Sequence, residues 1–208
     1  MQKPPLGRRD VPYRSNYQDY KEDLRIDFHY TCAYCTTSEN EARGLDFQID
    51  HYLPQSGHPD LKQCYLNLVY SCRHCNRNKS AWDPRLSDWR DDDVLFRSDV
   101  LAWGDHFEED GEVLWAKTPI GVRTDEVLRL NRGSLKRIRE LREIRNAASK
   151  IINNHLASLK RLGRQLDRLP PHLKGEVLSL PARIERQRKE LAAAVATLLD
   201  DDAKTPLY

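Results

Sequence analysis

Five cysteines lie within one stretch of the chain: Cys32, Cys35, Cys64, Cys72 and Cys75. Four of them form two C-x-x-C pairs, Cys32/Cys35 and Cys72/Cys75. A redox dithiol needs only one such pair and a βαβ setting, which the surrounding sequence does not suggest. A disulfide framework suits an exported chain. The N-terminal MQKPPLGRRD has no apolar stretch behind its positive charges, so no secretory signal is expected. Two pairs separated by a loop are what a tetrahedral Zn(II) site requires. Each loop places two thiolates about one ion, and two loops close the shell. Metal binding then supplies folding free energy on the order of 10 kcal/mol, which a segment this short and polar needs. Cys64, in QCYLNLVY, is expected as a small buried apolar residue and not as a ligand.

Between the two pairs lies Ile49-Asp50-His51-Tyr52-Leu53-Pro54, followed by Asn67-Leu68-Val69 and Cys72-Arg73-His74-Cys75-Asn76-Arg77-Asn78-Lys79. Singly these are bland. Asp50-His51 reads as a surface dipeptide, Asn67 as a turn residue, and His58 as structural in a Gly-His-Pro turn. His74 reads as solvent-facing, and at most a phosphate contact. Together they read C-x-x-C, D-H-x-x-P, N-L-V, C-x-x-C-N-x-x-K. Over residues 28–81 this order and spacing resembles the HNH endonucleases of the four-cysteine type.

The resemblance implies a ββα-metal core with a structural zinc beside a catalytic Mg(II) or Mn(II). It implies Cys32, Cys35, Cys72 and Cys75 as zinc ligands and His51 as general base. Asp50 and Asn76 become the ligands of the catalytic ion, and Asn67 a loop-pinning residue that orients the base. Lys79 matches a family lysine; for it, as for Arg73 and Arg77, phosphate contact and a solvated face stand equal. The residue types suit phosphodiester hydrolysis. An imidazole titrates near neutral pH, carboxylate and amide oxygens are hard donors, and a divalent ion is a Lewis acid for phosphate. Neighbours on a strand point to opposite faces. Asp50 and His51 therefore reach one phosphate only where a strand ends, and Pro54 is consistent with that ending.

The elements that must position these residues are read as α+β: a zinc-stapled ββα core followed by a mainly helical C-terminal region. The expected divisions are a tail and helix (1–27), the core (28–82), an acidic connector (83–122) and a basic helical region (123–208). Ser15 is placed at a helix N-cap, with Tyr17, Tyr20, Leu24 and Phe28 as a packing stripe. Short strands are expected at Leu45–Ile49, Val94–Phe96 and Val113–Ala116, with a turn at Asp110-Gly111 and a helix from about Asn76. A long apolar stripe runs from Leu135 to Leu166, Pro170-Pro171 ends it, and a second helix is expected from Pro181 to about Leu199.

The net charge of +2 hides a segregation. Residues 88–112 hold ten acids against two arginines, a net charge of −8, whereas 129–168 hold twelve cations against three acids, a net charge of +9. The basic helix suits a nucleic-acid backbone or a partner's surface about equally, with neutralisation by the acidic connector slightly behind. It also permits a helix-mediated dimer. The most apolar stretch, Leu191–Leu199, spans nine residues, too few to cross a bilayer. A membrane protein, a collagen-like fibre and a routinely exported protein are thus excluded, and a cytoplasmic location is expected.

The motifs with a helical tail resemble, within the HNH family, the small HNH proteins of Septu-type and retron-associated anti-phage systems. This implies cleavage of DNA, preferably duplex, beside an ATPase partner; no Walker-type loop occurs in this chain. The alternatives are a non-catalytic zinc adaptor that recruits nucleic acid or a protein, and an RNA-directed nuclease.

Overall fold

The computed structural model describes residues 7–42, 46–83, 94–170, 172, 182, 185–190 and 193. Asn16, not Ser15, caps the first helical turn: its side chain accepts from the Gln18 N–H at 3.1 Å. A 3-10 turn, Tyr17–Tyr20, runs into α1 (Lys21–Asp27). Tyr20, Leu24 and Phe28 stand four residues apart and so share one helix face. All three are buried. Leu24 is wholly enclosed, so Leu24→Ala is expected to cost about 2–5 kcal/mol, read as a lower urea midpoint at unchanged m.

Residues 7–14 have no regular structure, yet they are tied down. The Arg8 guanidinium stacks over the Phe28 and Tyr65 rings and pairs with Asp99 at 2.8 Å; Arg9 pairs with Asp27.

Strand β1 (Phe47–His51) pairs antiparallel with β2 (Leu68–Cys72), in a register that sets Phe47 opposite Cys72 and Asp50 opposite Val69. β1 thus extends through Asp50 and His51, beyond the expected end at Ile49; residue 45 lies outside the described residues. Every residue of β2 is buried, and α1 packs against it. α2 (Arg73–Lys79) starts directly after Cys72, three residues earlier than the sequence suggested, so the second C-x-x-C straddles a strand end and a helix start. β1, β2 and α2 make the expected ββα unit.

No strand forms at Val94–Phe96. The backbone there is satisfied by side chains instead: Tyr52 Oη accepts from the Leu95 N–H and donates to its carbonyl, and Thr124 Oγ1 accepts from the Phe96 N–H at 2.8 Å. A single-turn helix, α3 (Trp103–His106), leads into the hairpin β3 (Phe107–Asp110) and β4 (Val113–Ala116). Gly111 turns the hairpin with φ 56°, the left-handed region that glycine tolerates. Phe96, Trp103 and Phe107 form an edge-to-face ring cluster beneath it.

α4 (Pro119–Leu128) is capped by the Thr118 hydroxyl and ends at Arg129, whose φ of 55° breaks the helix. α5 (Gly133–Asp167) follows. The first compact unit ends at Arg139 and a second begins at Glu140. In the first unit Leu135 and Ile138 are buried, Lys136 pairs with Glu112 at 3.5 Å and Arg139 donates to the Glu112 carbonyl. In the second, Ile144, Ile151 and Leu162 are exposed, so the apolar stripe is narrower than its sequence pattern.

Of the second helix expected from Pro181, only 182, 185–190 and 193 are described, and these are helical. Pro171 and the acids Asp88, Asp91, Asp92 and Asp93 lie outside the described residues. No helix among the described residues is long and apolar enough to cross a membrane.

Candidate functional site

The ββα unit carries two groups of chemically competent side chains. The first is the sulfur cluster. Cys32 and Cys35 come from the turn after α1, Cys72 ends β2, and Cys75 lies in the first turn of α2. All four thiols are buried, and their Sγ atoms lie within 4.8 Å of one another. Cys35 and Cys72 approach to 3.9 Å. Tetrahedral zinc with bonds of ~2.3 Å would set its sulfurs about 3.8 Å apart.

The titration of the group tells the same story. Hydrogen bonds from Cys32, Cys72 and Cys75 hold the Cys35 thiol well below its ordinary range. Hydrogen bonds within the cluster, with burial, push Cys72 and Cys75 up. A divalent cation would take the place of protons among the four sulfurs. The donor set fits a structural metal, and Cys64 lies outside it.

Arg132, which the sequence reading did not single out as a site residue, also reaches the cluster. Its Nη2 donates to Cys75 Sγ at 3.5 Å and Cys72 Sγ at 3.9 Å. Burial works against the guanidinium charge, but the neighbouring Cys75 and Cys35 sulfurs outweigh it and raise the Arg132 pKa.

The second group surrounds Asp50 and His51. Strand alternation turns Asp50 toward α2 and His51 to the other face. Asp50 is 5% exposed. Its Oδ2 accepts from the Tyr34 hydroxyl at 2.6 Å and its Oδ1 from Lys79 Nζ at 3.2 Å. Lys79, at 1% exposure, also donates to the His51 carbonyl at 2.7 Å. It is therefore neither a phosphate contact nor a solvated side chain. Burial raises the Asp50 pKa, and Lys79 and Tyr34 offset only part of that. One helical turn earlier, Asn76 Nδ2 donates to Gln48 Oε1 at 2.9 Å. α2 therefore runs along β1, with Lys79 facing Asp50 and Asn76 facing Gln48. No hydrogen bond joins Asp50, His51 and Asn76 among the described residues.

Removing Lys79 leaves Asp50 as an uncompensated buried charge. We expect Lys79→Met to cost about 3–5 kcal/mol in urea unfolding, and Asp50→Asn added to it to recover part of the loss.

His51 is 8% exposed, with Tyr17 edge-on at 4.7 Å between ring centroids. Its Nε2 lies 3.0 Å from the Lys62 carbonyl. A carbonyl only accepts, so Nε2 carries the hydrogen and Nδ1 keeps the free lone pair. Asn67 clamps the chain just after His51. Its Oδ1 accepts from the Leu53 N–H at 2.9 Å, its Nδ2 donates to the Leu53 carbonyl at 3.0 Å, and its own carbonyl accepts from the Tyr52 N–H.

His58 and Asp83 form a separate buried pair at 2.7 Å. His74 is half-buried, and burial with Arg132 and Arg77 nearby lowers its pKa. Tyr17, Tyr34 and Arg132 carry no local sequence signal, because each acts across a gap in the chain.

Comparison with known proteins agrees with this geometry. The family model described as HNH endonuclease matches residues 32–81. The Septu protein PtuB of Bacillus thuringiensis is 27% identical over 100 residues, which cover 48% of this chain and 36% of that protein. The chain thus aligns with little more than a third of that relative's length. With its cysteine cluster, its ββα order and the D-H dipeptide at the end of β1, the segment 32–81 matches the HNH endonuclease model, in a chain that is similar over part of its length to one Septu protein.

Proposed function

We propose that this chain is a metal-dependent HNH endonuclease that hydrolyses DNA phosphodiester bonds, with duplex DNA as substrate. In this reading it is the effector of a prokaryotic anti-phage system, acts in the cytoplasm and works with an ATPase partner. Zn(II) is the ion held by Cys32, Cys35, Cys72 and Cys75, and its chemistry is structural. The observation that carries the proposal is the 3.0 Å contact between His51 Nε2 and the Lys62 carbonyl. With Nε2–H anchored on the Lys62 carbonyl, Nδ1 is the one basic ring nitrogen left to take a proton.

In the proposed step, Nδ1 removes a proton from water as the water oxygen forms a bond to phosphorus. One P–O ester bond then breaks, and the departing oxygen takes up a proton. Asn67 acts as the positioning residue. By clamping Leu53 it fixes the backbone that leaves β1 at His51. The arginines of α2, Arg73 and Arg77, are exposed and suit the phosphate backbone.

Asp50 and Asn76 are assigned Mg(II) or Mn(II) on the strength of the family resemblance. In the arrangement described, each Asp50 oxygen accepts one hydrogen bond, from Tyr34 and from Lys79, whose ammonium already supplies a positive charge, and Asn76 donates to Gln48. No step is therefore routed through that ion. The same observation favours a second reading, a non-catalytic zinc adaptor that recruits nucleic acid or a protein.

The discriminating experiment incubates the zinc-loaded chain with duplex DNA, single-stranded DNA and RNA. Each is tested with Mg(II), Mn(II) or EDTA, with and without any ATPase encoded beside it. The proposal expects duplex cleavage that EDTA abolishes. Binding without cleavage under every condition would support the adaptor, and cleavage confined to RNA would move the substrate.

A further inference from the structure

We propose that Arg132 is an outer-sphere ligand of the metal held by the four cysteines, and that through it metal occupancy sets the junction between α4 and α5. The inference rests on the metal reading of the cluster and goes beyond the nuclease assignment.

Arg132 lies 57 residues after Cys75 in sequence, outside the segment matched by the family model. Its guanidinium is a fork with two loads. Nη2 faces Cys75 and Cys72, at 3.5 and 3.9 Å. Nη1 donates to the carbonyls of Leu128 at 3.0 Å and Arg129 at 3.3 Å, where α4 ends. The Leu128 carbonyl also accepts from Asn78 Nδ2 of α2 at 2.8 Å. Arg132 Nε is buried without a hydrogen-bond partner among the described residues. An unmet buried donor costs free energy, so the orientation is held by what the two η nitrogens gain. The Arg132 carbonyl then accepts from the N–H groups of Leu135 and Lys136, which starts α5. One residue thus joins the sulfur cluster, the end of α4 and the first turn of α5.

The electrostatics give this contact a consequence. A divalent ion with four thiolates carries a net charge of −2, buried in the protein. One guanidinium halves it. Each N–H···S bond withdraws electron density from sulfur and so resists protonation and ligand loss at Cys72 and Cys75. Lysine would keep the charge but not the fork that reaches sulfur and carbonyl together.

The test is the rate at which the full-length, Zn(II)-loaded chain gives up its metal to a colorimetric chelator. Parent, Arg132→Met, Arg132→Lys and Asn78→Ala are compared. Asn78→Ala loosens the same Leu128 carbonyl without touching sulfur. Arg132→Met is expected to release zinc about 10–100-fold faster, Arg132→Lys to fall between it and the parent, and Asn78→Ala to match the parent.

Release from Arg132→Met at the parental rate overturns the proposal, as does an Asn78→Ala rate equal to that of Arg132→Met. A parent that purifies without metal overturns the cluster reading and this inference with it. Hydrogen exchange on the parent keeps the coupling testable should a variant fail to fold. Amides of residues 128–137 are expected to exchange faster after zinc is stripped. Unchanged exchange refutes the coupling.

Discussion

Stripping the metal from the cysteine cluster, or replacing Cys72 by Ser, is expected to unfold the ββα unit. The cluster joins the turn after α1, the end of β2 and the start of α2. β1 and β2 are only five residues each, and a two-stranded hairpin has little stability by itself. A structural zinc contributes on the order of 10 kcal/mol to such a unit, comparable with the whole stability of a domain of this size. Without it, four buried Sγ atoms lie within 4.8 Å of one another with no ion to hold them together. Far-ultraviolet circular dichroism and proteolysis before and after chelation measure the effect. A chain whose spectrum and protease resistance survive complete metal removal contradicts the structural role.

His51→Ala is expected to lower cleavage by about two to four orders of magnitude, the range a positioned general base supplies. The fold should persist. His51 closes β1 and meets Tyr17 and the Lys62 carbonyl, contacts whose loss costs about 1 kcal/mol for the hydrogen bond. The thiolate cluster draws on none of them. Zinc content should therefore match the parent while turnover collapses. This separation distinguishes a catalytic imidazole from a packing one.

Different parts of this molecule were legible in the sequence to different degrees, for physical reasons. The sulfur cluster was plain, because a C-x-x-C loop is a local device and two of them specify a tetrahedral shell before any fold is known. The packing face of α1 was legible too, since Tyr20, Leu24 and Phe28 repeat at the helical period. The hairpin at Asp110-Gly111 announced itself through its turn residues. The irregular path at 94–97 did not, because its backbone partners are the side chains of Tyr52 and Thr124, far off in sequence.

The partner of Asp50 was equally hidden. Nothing near Lys79 marks it as an internal cation whose ammonium must pair with a carboxylate 29 residues away. Residues 7–14 read as a tail because their ordering comes from Asp27 and Asp99, which no local pattern connects to Arg9 and Arg8. Arg132 reads as one cation among twelve in the basic segment. Its contact with sulfur exists only once α4 has folded against α2.

The central claim is that a metal-stapled ββα scaffold presents the His51 imidazole as a base to the DNA backbone. Single-turnover cleavage of plasmid DNA tests it most directly, with the parent and His51→Ala at equal zinc content. The parent is expected to give nicked and linear product and the variant nearly intact plasmid. Equal rates from the two proteins would contradict it.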